Sequence, residues 1–355
     1  MPKVLFLSRY ARLGSSSRLR LYQYLPYLRD ADVDATVAPL LDDDYVLGLY
    51  GGKVARLSIM KGYLARLGTM LKAGRFDAVW VEKEMLPWMP AWLELGLFHA
   101  KVPLIVDYDD AVFHRYDQHR LALVRGLLGR KIDRVMKHAD LVVAGNEYLA
   151  GHARNAGASR VEILPTVVDI ARYGVTIAKP SGQQLPTIGW IGSPATAHFL
   201  HLIAPALHEV VARKLARVVA VGANAAQLNG LPVAAQPWTE ATEVSDIQSF
   251  DIGIMPLPGE PFERGKCGYK LIQYMACGKP VVASPVGANS KIVRDGMDGF
   301  LASTHQEWIS ALTRLIADPE LRQQMGREGR LRIENEFSLQ KAAPRLIKLI
   351  QSVLK

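Results

Sequence analysis

The chain opens on Lys3-Val-Leu-Phe-Leu-Ser8, an unbroken apolar run of the kind buried on both faces of a sheet. A Gly/Ser-rich loop at Gly14–Ser17 and a helix-like stretch to about Arg29 follow it. Further buried-strand runs stand at Ala35–Val37, Ala78–Val81, Leu104–Asp107 and Leu141–Ala144, alternating with helical patterns at Gly52–Leu71, Leu121–His138 and Tyr148–Asn155. Such alternation predicts a parallel sheet with helices on both faces. Between Gly174 and Pro186 the residues turn to Gly, Pro, Ser and Gln without apolar periodicity, which is linker chemistry. The alternation restarts at Thr187-Ile-Gly-Trp-Ile-Gly192, with strands near Arg217–Val221, Ile252–Met255 and Pro280–Ser284. From Ser338 to Lys355, Leu339, Leu346, Ile347, Ile350 and Leu354 recur at helical spacing. The pattern predicts α/β architecture: two doubly wound Rossmann-like domains, 1–180 and 181–337, and an amphipathic helix, 338–355, packing back on the first domain. Ligands of open α/β sheets bind outside the carboxyl ends of the strands, so two such domains facing a central cleft make that cleft the expected active site.

A length of 355 residues suits two domains, and 49% hydrophobic with 22% charged residues excludes disordered and disulfide-scaffold classes. The two cysteines, Cys267 and Cys277, are too far apart for a Cys-x-x-Cys site and read as reduced thiols of a cytoplasmic protein. No secretory leader is expected, and the longest apolar stretch, Leu86–Val106, is broken by prolines, Glu94, His99 and Lys101, so no membrane span is expected either. The net charge of +9, larger in the first half, favours anionic partners. Without a Lys/Arg tract or an aromatic RNA-binding box, nucleic acid is not among them.

The most informative segment is Glu263–Ser284, a Gly-containing turn leading to a short helix and then a β-branched strand. Its run Tyr274-Met-Ala-Cys-Gly-Lys-Pro-Val-Val-Ala283, followed by Gly287 and by Asp295-Gly-Met-Asp-Gly-Phe-Leu301, resembles the donor-site signature of glycosyltransferase family 4. That resemblance implies a GT-B fold and a retaining, metal-independent transferase moving a sugar from a nucleotide diphosphate sugar to a hydroxyl acceptor. It covers essentially the whole chain and is sharpest from Cys267 to Leu301. Independently of the name, backbone amides at Lys266, Cys267, Gly268 and Tyr269 open a helix and suit phosphate oxygens. Lys266 and Lys270, one helical turn apart, would add positive charge, and Lys270 would stabilise the leaving diphosphate. Either lysine alternatively reads as a solvated helix residue.

The family pattern carries two glutamates separated by seven residues, and here Gly265 and Gln273 stand in their places. A Gln273 amide can still accept from one ribose hydroxyl, and Glu263 is the candidate for the sugar contact. In Gly189-Trp-Ile-Gly-Ser-Pro-Ala-Thr196, Ser193 before Pro194 reads as a helix N-cap, with Ser193 and Thr196 hydroxyls near a phosphate; simple capping is the alternative. The first-domain loop Arg12–Arg20 lacks the Gly-x-Gly-x-x-Gly spacing of dinucleotide binders. The resemblance implies that its Gly14 and Ser15 amides meet the diphosphate and Arg18 the acceptor. Arg18 and Arg20 point to different faces of a helix, so one of them is expected to be surface charge.

Asp107-Tyr-Asp-Asp-Ala-Val-Phe-His114 follows a buried strand, which aims its carboxylates at the active-site end of the sheet. Asp110 or His114 would bond a sugar hydroxyl or stabilise positive charge on the sugar, with Asp109 on the acceptor side; capping of the next turn is the alternative for Asp107 and Asp109. Asp107-x-Asp109 also spells the metal-binding pair of GT-A transferases, a weak match that yields to the family 4 signature. Asn146-Glu147 ends another strand, and Glu240 and Glu243 fall near Trp238 where the family's base-recognition loop would lie. Leu86-Pro-Trp-Met-Pro-Ala-Trp-Leu93 reads as a packed helix or as a membrane-surface or acceptor contact.

The resulting expectation is a retaining glycosyltransferase of polysaccharide, lipopolysaccharide or glycolipid assembly. It needs no cofactor or metal beyond the donor, takes a carbohydrate or lipid-linked acceptor, and contacts the inner face of an anionic membrane peripherally. The rivals are a non-catalytic nucleotide or carbohydrate binding protein and a nucleotide-sugar epimerase. An oxidoreductase is disfavoured by the missing glycine fingerprint.

Overall fold

The computed structural model describes residues 1–50, 56–98, 101–174 and 185–354. Contacts divide the chain into two compact units. The first comprises Met1–Thr166, Arg264–Cys267 and Leu339–Lys355; the second comprises Val167–Glu263 and Gly268–Ser338. The division at Thr166/Val167 lies ahead of the Gly/Pro/Ser/Gln segment, most of which (175–184) falls outside the described residues.

The first unit is built on a six-stranded parallel sheet of β1 (Lys3–Tyr10), β2 (Asp34–Leu41), β3 (Ala78–Glu82), β4 (Leu104–Tyr108), β5 (Leu141–Ala144) and β6 (Val161–Ile163), in the order β2-β1-β3-β4-β5-β6. Its connections carry α1 (Ser15–Arg20), α2 (Leu25–Asp30), α3 (Asp43–Tyr50), α4 (Arg56–Met70), α5 (Ala91–Leu97), α6 (His114–Asp117), α7 (Ala122–Leu128), α8 (Lys131–His138) and α9 (Glu147–Asn155). β3, β4 and β5 are buried at every position, as strands covered on both faces must be. Leu5, Leu7, Val79 and Val81 face one core layer with Met70, Ala91, Leu128 and Ile132 of the covering helices.

The second unit repeats the plan with β7 (Thr187–Ile191), β8 (Arg217–Val221), β9 (Ala234–Gln236), β10 (Ile252–Met255), β11 (Val281–Ala283) and β12 (Gly299–Leu301), in the order β12-β11-β10-β7-β8-β9. Its helices are α10 (Ala204–Ala212), α11 (Glu243–Gln248), α12 (Pro261–Arg264), α13 (Tyr269–Ala276), α14 (Asn289–Ile292), α15 (His305–Ala317) and α16 (Pro319–Glu336). The last helix, α17 (Leu339–Gln351), groups with the first unit, where it packs on α2 with Leu339, Ala342, Ala343, Leu346 and Ile350 buried.

The helix expected over Leu121–His138 is two, broken at Gly129–Arg130, where the chain turns so that α8 can bury Ile132, Val135 and Met136. Residues 52–55 of the helix expected over Gly52–Leu71 lie outside the described residues, and the remainder, to Met70, is α4. The tryptophan-rich stretch is helical only from Ala91; before that it is a turn in which Trp88 holds a positive φ of 63°. Among the described residues no helix is long and apolar enough to cross a membrane.

Candidate active site

In the first unit, charged residues crowd the carboxyl ends of β3 and β4. Lys83 follows β3 with φ +64°, a left-handed backbone that turns its side chain back over the strand end. Its Nζ lies 2.8 Å from Asp109 Oδ1 and donates to Asp110 Oδ2 at 3.1 Å and to Ser16 Oγ at 2.9 Å. Ser16 Oγ donates in turn to Asp109 Oδ2 at 2.5 Å. Burial disfavours the Asp109 charge, but Lys83 above all, with Arg20, overrides it and holds the carboxyl below its ordinary range. Burial likewise disfavours the Lys83 charge, and the two aspartates reverse the effect, so its ammonium is held firmly protonated.

Asp107 ends within β4 as a buried partner of Arg20, which donates from Nε at 3.0 Å and from Nη2 at 2.5 Å. Arg20 also donates to the Leu164 carbonyl at 2.7 Å. The expectation that one of Arg18 and Arg20 is surface charge is therefore corrected: both are 3% exposed, because α1 is short and lies down over the sheet. Each carboxylate of the Asp107-x-Asp109 pair is held by a cation, Asp107 by Arg20 and Asp109 by Lys83.

His114 lies in α6 with both ring nitrogens engaged, Nδ1 against Asp117 at 3.0 Å and Nε2 against Tyr148 Oη at 2.7 Å. Lys266 sits before α13, 3.7 Å from Asp110, and groups with the first unit. This corrects the expectation that Lys266 and Lys270 lie one turn apart on a helix, because α13 begins only at Tyr269. Cys267 is buried, its thiol pushed up to about 12 chiefly by burial and donating to the Asp109 carbonyl at 3.2 Å. Asn146, beyond β5, donates from Nδ2 to the Gly265 carbonyl at 2.9 Å. Gly265 itself is pressed on Ala111: a Cβ there would stand 2.5 Å from the Ala111 Cβ and 2.6 Å from its nitrogen. Where the family pattern has its first glutamate, this backbone leaves no room for a side chain.

In the second unit the chain leaves β7 at Gly192, and α13 brings Lys270 over that point. Lys270 Nζ is 5.2 Å from the Trp190 ring centroid, and a Cβ on Gly192 would come within 2.5 Å of Lys270 Cε. Gly268 caps α13 with φ +65°, a conformation glycine adopts at no steric cost, and a Cβ there would stand 2.3 Å from Ile292 Cδ1. Ser193 precedes Pro194 as expected for an N-cap, but the helix is 3₁₀ (Pro194–Ile203), and the Ser193 side chain makes no capping bond. Thr196 Oγ1 donates to the Ser193 carbonyl at 3.1 Å. Tyr269 is half-buried at the start of α13, and Glu263 is half-buried on α12. Gln273 is buried on α13, where Nε2 donates to Tyr173 Oη at 3.1 Å. Tyr173 donates to Glu243 Oε1 at 3.2 Å, and Trp238 Nε1 to Glu243 Oε2 at 3.1 Å. In the first unit Gly14 is buried as the N-cap of α1 and Ser15 is exposed as its first residue.

Sequence reasoning passed over Lys83 and the buried salt bridge of Lys131 with Glu84 and Glu94 (2.7 and 3.0 Å). The legible signal for Lys83 was its place just after Glu82, where the apolar run Ala78–Val81 of β3 ends at the side of the sheet where ligands bind.

Two parallel, doubly wound six-stranded units with cations at their strand ends define a two-domain Rossmann-like protein of GT-B architecture. The chain belongs to the group 1 glycosyltransferases: residues 185–318 match the model described as "Glycosyl transferases group 1" and residues 9–167 match the "Glycosyl transferase 4-like domain". It is 34% identical over 110 residues to a D-inositol 3-phosphate glycosyltransferase of Arthrobacter sp. (strain FB24), a match covering 30% of this chain and 25% of that protein. The matches to the curated relatives thus span about a quarter of those proteins. Among solved structures, Anabaena HepE in complex with UDP superposes with a TM-score of 0.74 at 18% identity, over 99% of this chain and 100% of that one. Sucrose-phosphate synthase from Thermosynechococcus elongatus superposes with a TM-score of 0.75 at 14% identity, over 99% of each chain. These likenesses establish the fold.

Proposed function

We propose that the protein is a retaining, metal-independent glycosyltransferase that moves a sugar from a nucleotide diphosphate sugar to an acceptor hydroxyl. The observation that carries this reading is Lys270, held over Gly192 and Trp190 where β7 ends, in the first turn of α13. A diphosphate bound there meets the Lys270 ammonium and the positive end of the α13 dipole, which stabilise charge as it develops on the leaving group. The amides of Gly268 and Tyr269, with Ser193 and Thr196, complete this donor-side set in the second unit. Gln273 takes a ribose hydroxyl through Oε1, since Nε2 is engaged by Tyr173. Glu263 takes the sugar.

The acceptor oxygen bonds to the anomeric carbon on the face from which the diphosphate departs. The carbon–oxygen bond to the β-phosphate breaks, and the acceptor proton passes to the leaving phosphate oxygen. No side-chain nucleophile is required. Arg18 and Asp109 orient the acceptor and Asp110 bonds a sugar hydroxyl, while His114, engaged at both ring nitrogens by Asp117 and Tyr148, positions the segment beyond Asp110. We assign the protein to polysaccharide, lipopolysaccharide or glycolipid assembly, with a carbohydrate or lipid-linked acceptor, at the cytoplasmic face of a membrane. One observation favours a second reading, a binding protein without turnover: Gly265 leaves no room for the first family glutamate.

The test is incubation with UDP-, GDP- and ADP-sugars and a panel of glycosyl and lipid-linked acceptors, with products read by NMR. Retained anomeric configuration, insensitive to EDTA, is expected. Inversion contradicts the mechanism, conversion of the donor without acceptor identifies an epimerase, and tight donor binding without any product identifies the binding protein.

A further inference from the structure

The first unit carries an apolar surface on one side. On α4, Leu57, Met60 and Leu64 follow the i, i+3, i+7 spacing of one helical stripe, yet all three are exposed, Leu64 to 63%. An amphipathic helix normally turns such a stripe inward; α4 instead buries Arg66 and Met70. Trp88 is exposed in the turn before α5, and Trp92 is 68% exposed on α5 itself. On α7, Leu123 and Leu127, one turn apart, are exposed as well, Leu123 to 73%.

These three segments are neighbours. Right-handed crossovers from β2 to β3, β4 and β5 lay α4, α5 and α7 on one face of the sheet, and their buried residues share one core cluster. Tyr63 of α4 donates to the Pro87 carbonyl at 2.8 Å, and Trp88 packs edge-on against His119 with ring centroids 5.8 Å apart. Arg125 of α7 donates to the His119 carbonyl at 2.6 Å. The exposed leucines and tryptophans therefore lie on continuous structure.

The charge around them has one sign. Residues 56–76, 86–93 and 118–132 contain no Asp or Glu, whereas Arg56, Lys61, Lys72, Arg75, Arg120 and Arg130 are exposed among them. Tryptophan, leucine and cations without acids are what an interfacial surface needs to sit in the headgroups of an anionic leaflet. A second copy of this chain is a poor occupant, because a two-fold contact would set this basic surface against itself.

We propose that this face of the first unit, formed by α4, the Trp88 turn, the start of α5 and α7, docks on an anionic lipid bilayer. The idea deepens the membrane-side placement proposed above, and it rests on that reading only for its use, since vesicle binding is measured without donor or acceptor. Docking by this face would let a lipid-linked acceptor reach the enzyme from the bilayer surface.

The test is flotation of the full chain with vesicles of phosphatidylcholine alone and of phosphatidylcholine mixed with phosphatidylglycerol, at low and high salt. Binding to the mixed vesicles only, weakened by salt, is expected. Leu64→Glu and Leu123→Glu should each weaken it by about tenfold or more, as should Lys61→Glu, while the circular dichroism spectrum is kept. No binding to the anionic vesicles, or binding that these substitutions leave unchanged, overturns the proposal. So does a dimer on gel filtration that Leu64→Glu dissolves, which would assign the face to a second copy. Stabilisation of Leu64→Glu by UDP, as of the unaltered chain, is read in parallel. Its absence from both would count against the donor site and leave the vesicle result to stand or fall alone.

Discussion

Lys83 illustrates how a single buried charge sets the behaviour of the strand-end cluster. Its side chain is 7% exposed and closes both Asp109 and Asp110. Lys83→Met removes the cation and should destabilise the protein by about 3 kcal/mol at neutral pH, measured by urea denaturation. The pH dependence carries the sign. With Lys83 in place the folded Asp109 carboxyl lies below its ordinary value, so it contributes stability above the unfolded carboxyl range and loses it as pH falls through the folded value. Without Lys83, burial dominates and ionisation is penalised instead. The deficit of Lys83→Met should therefore be greatest near neutrality and shrink as pH falls below the carboxylate range; a deficit constant with pH would refute the pairing.

The cysteines offer a simpler check at this scale. Burial pushes both thiols up to about 12. Ellman's reagent at mildly alkaline pH should leave the native protein unlabelled and react with both in urea. Gly192 ties a residue to the proposed donor site. A Cβ there would stand 2.5 Å from Lys270 Cε and 2.7 Å from Trp190 Cζ2, so Gly192→Ala should cost about 1–3 kcal/mol and weaken nucleotide binding together. Weakened folding with unchanged nucleotide affinity would separate Lys270 from the donor. Residues of this kind were hard to read ahead of the structure. Lys83, Lys131, Arg66 and Arg20 look like surface charges in a sequence, because only a partner distant along the chain makes their burial tolerable.

At the level of elements, legibility followed length and chemistry. β1, β3, β4, β5 and β7 were readable as continuous apolar runs, because strands buried on both faces stay apolar along their middle, with charge such as Glu82 and Asp107 only at the carboxyl end. β6, β9 and β12 were not: each has three residues at or near a sheet edge, and β9 is exposed throughout, so no apolar run marks them. The α7–α8 break escaped notice because both halves share helical periodicity and the turn rests on Gly129 alone. The terminal helix was legible from its stripe, and α17 buries it. Leu346→Ala should accordingly cost about 2–5 kcal/mol by chemical denaturation, whereas substitution of the exposed Lys341 should change little.

Across the whole molecule, the doubled alternation of strand and helix and the Tyr274–Leu301 signature were enough to read the GT-B fold and the family from the residues. The features of the proposed donor site visible in sequence were those set locally: the glycine that opens α13 and the lysine behind it. What sequence left open was set by contacts across the fold, including the closure of Asp107 by Arg20 and the packing of Gly265 on Ala111. The central claim is a nucleotide diphosphate site built on Lys270 and needing no metal. Thermal unfolding with UDP, GDP, ADP and their sugars, in EDTA or with Mn²⁺, for the protein and for Lys270→Ala, tests it most directly. A nucleotide at 100 times its dissociation constant should stabilise by about 2.7 kcal/mol, a shift of a few degrees. The account predicts a shift selective for one base, persisting in EDTA and lost in Lys270→Ala; a shift that needs Mn²⁺, or one that Lys270→Ala retains in full, would contradict it.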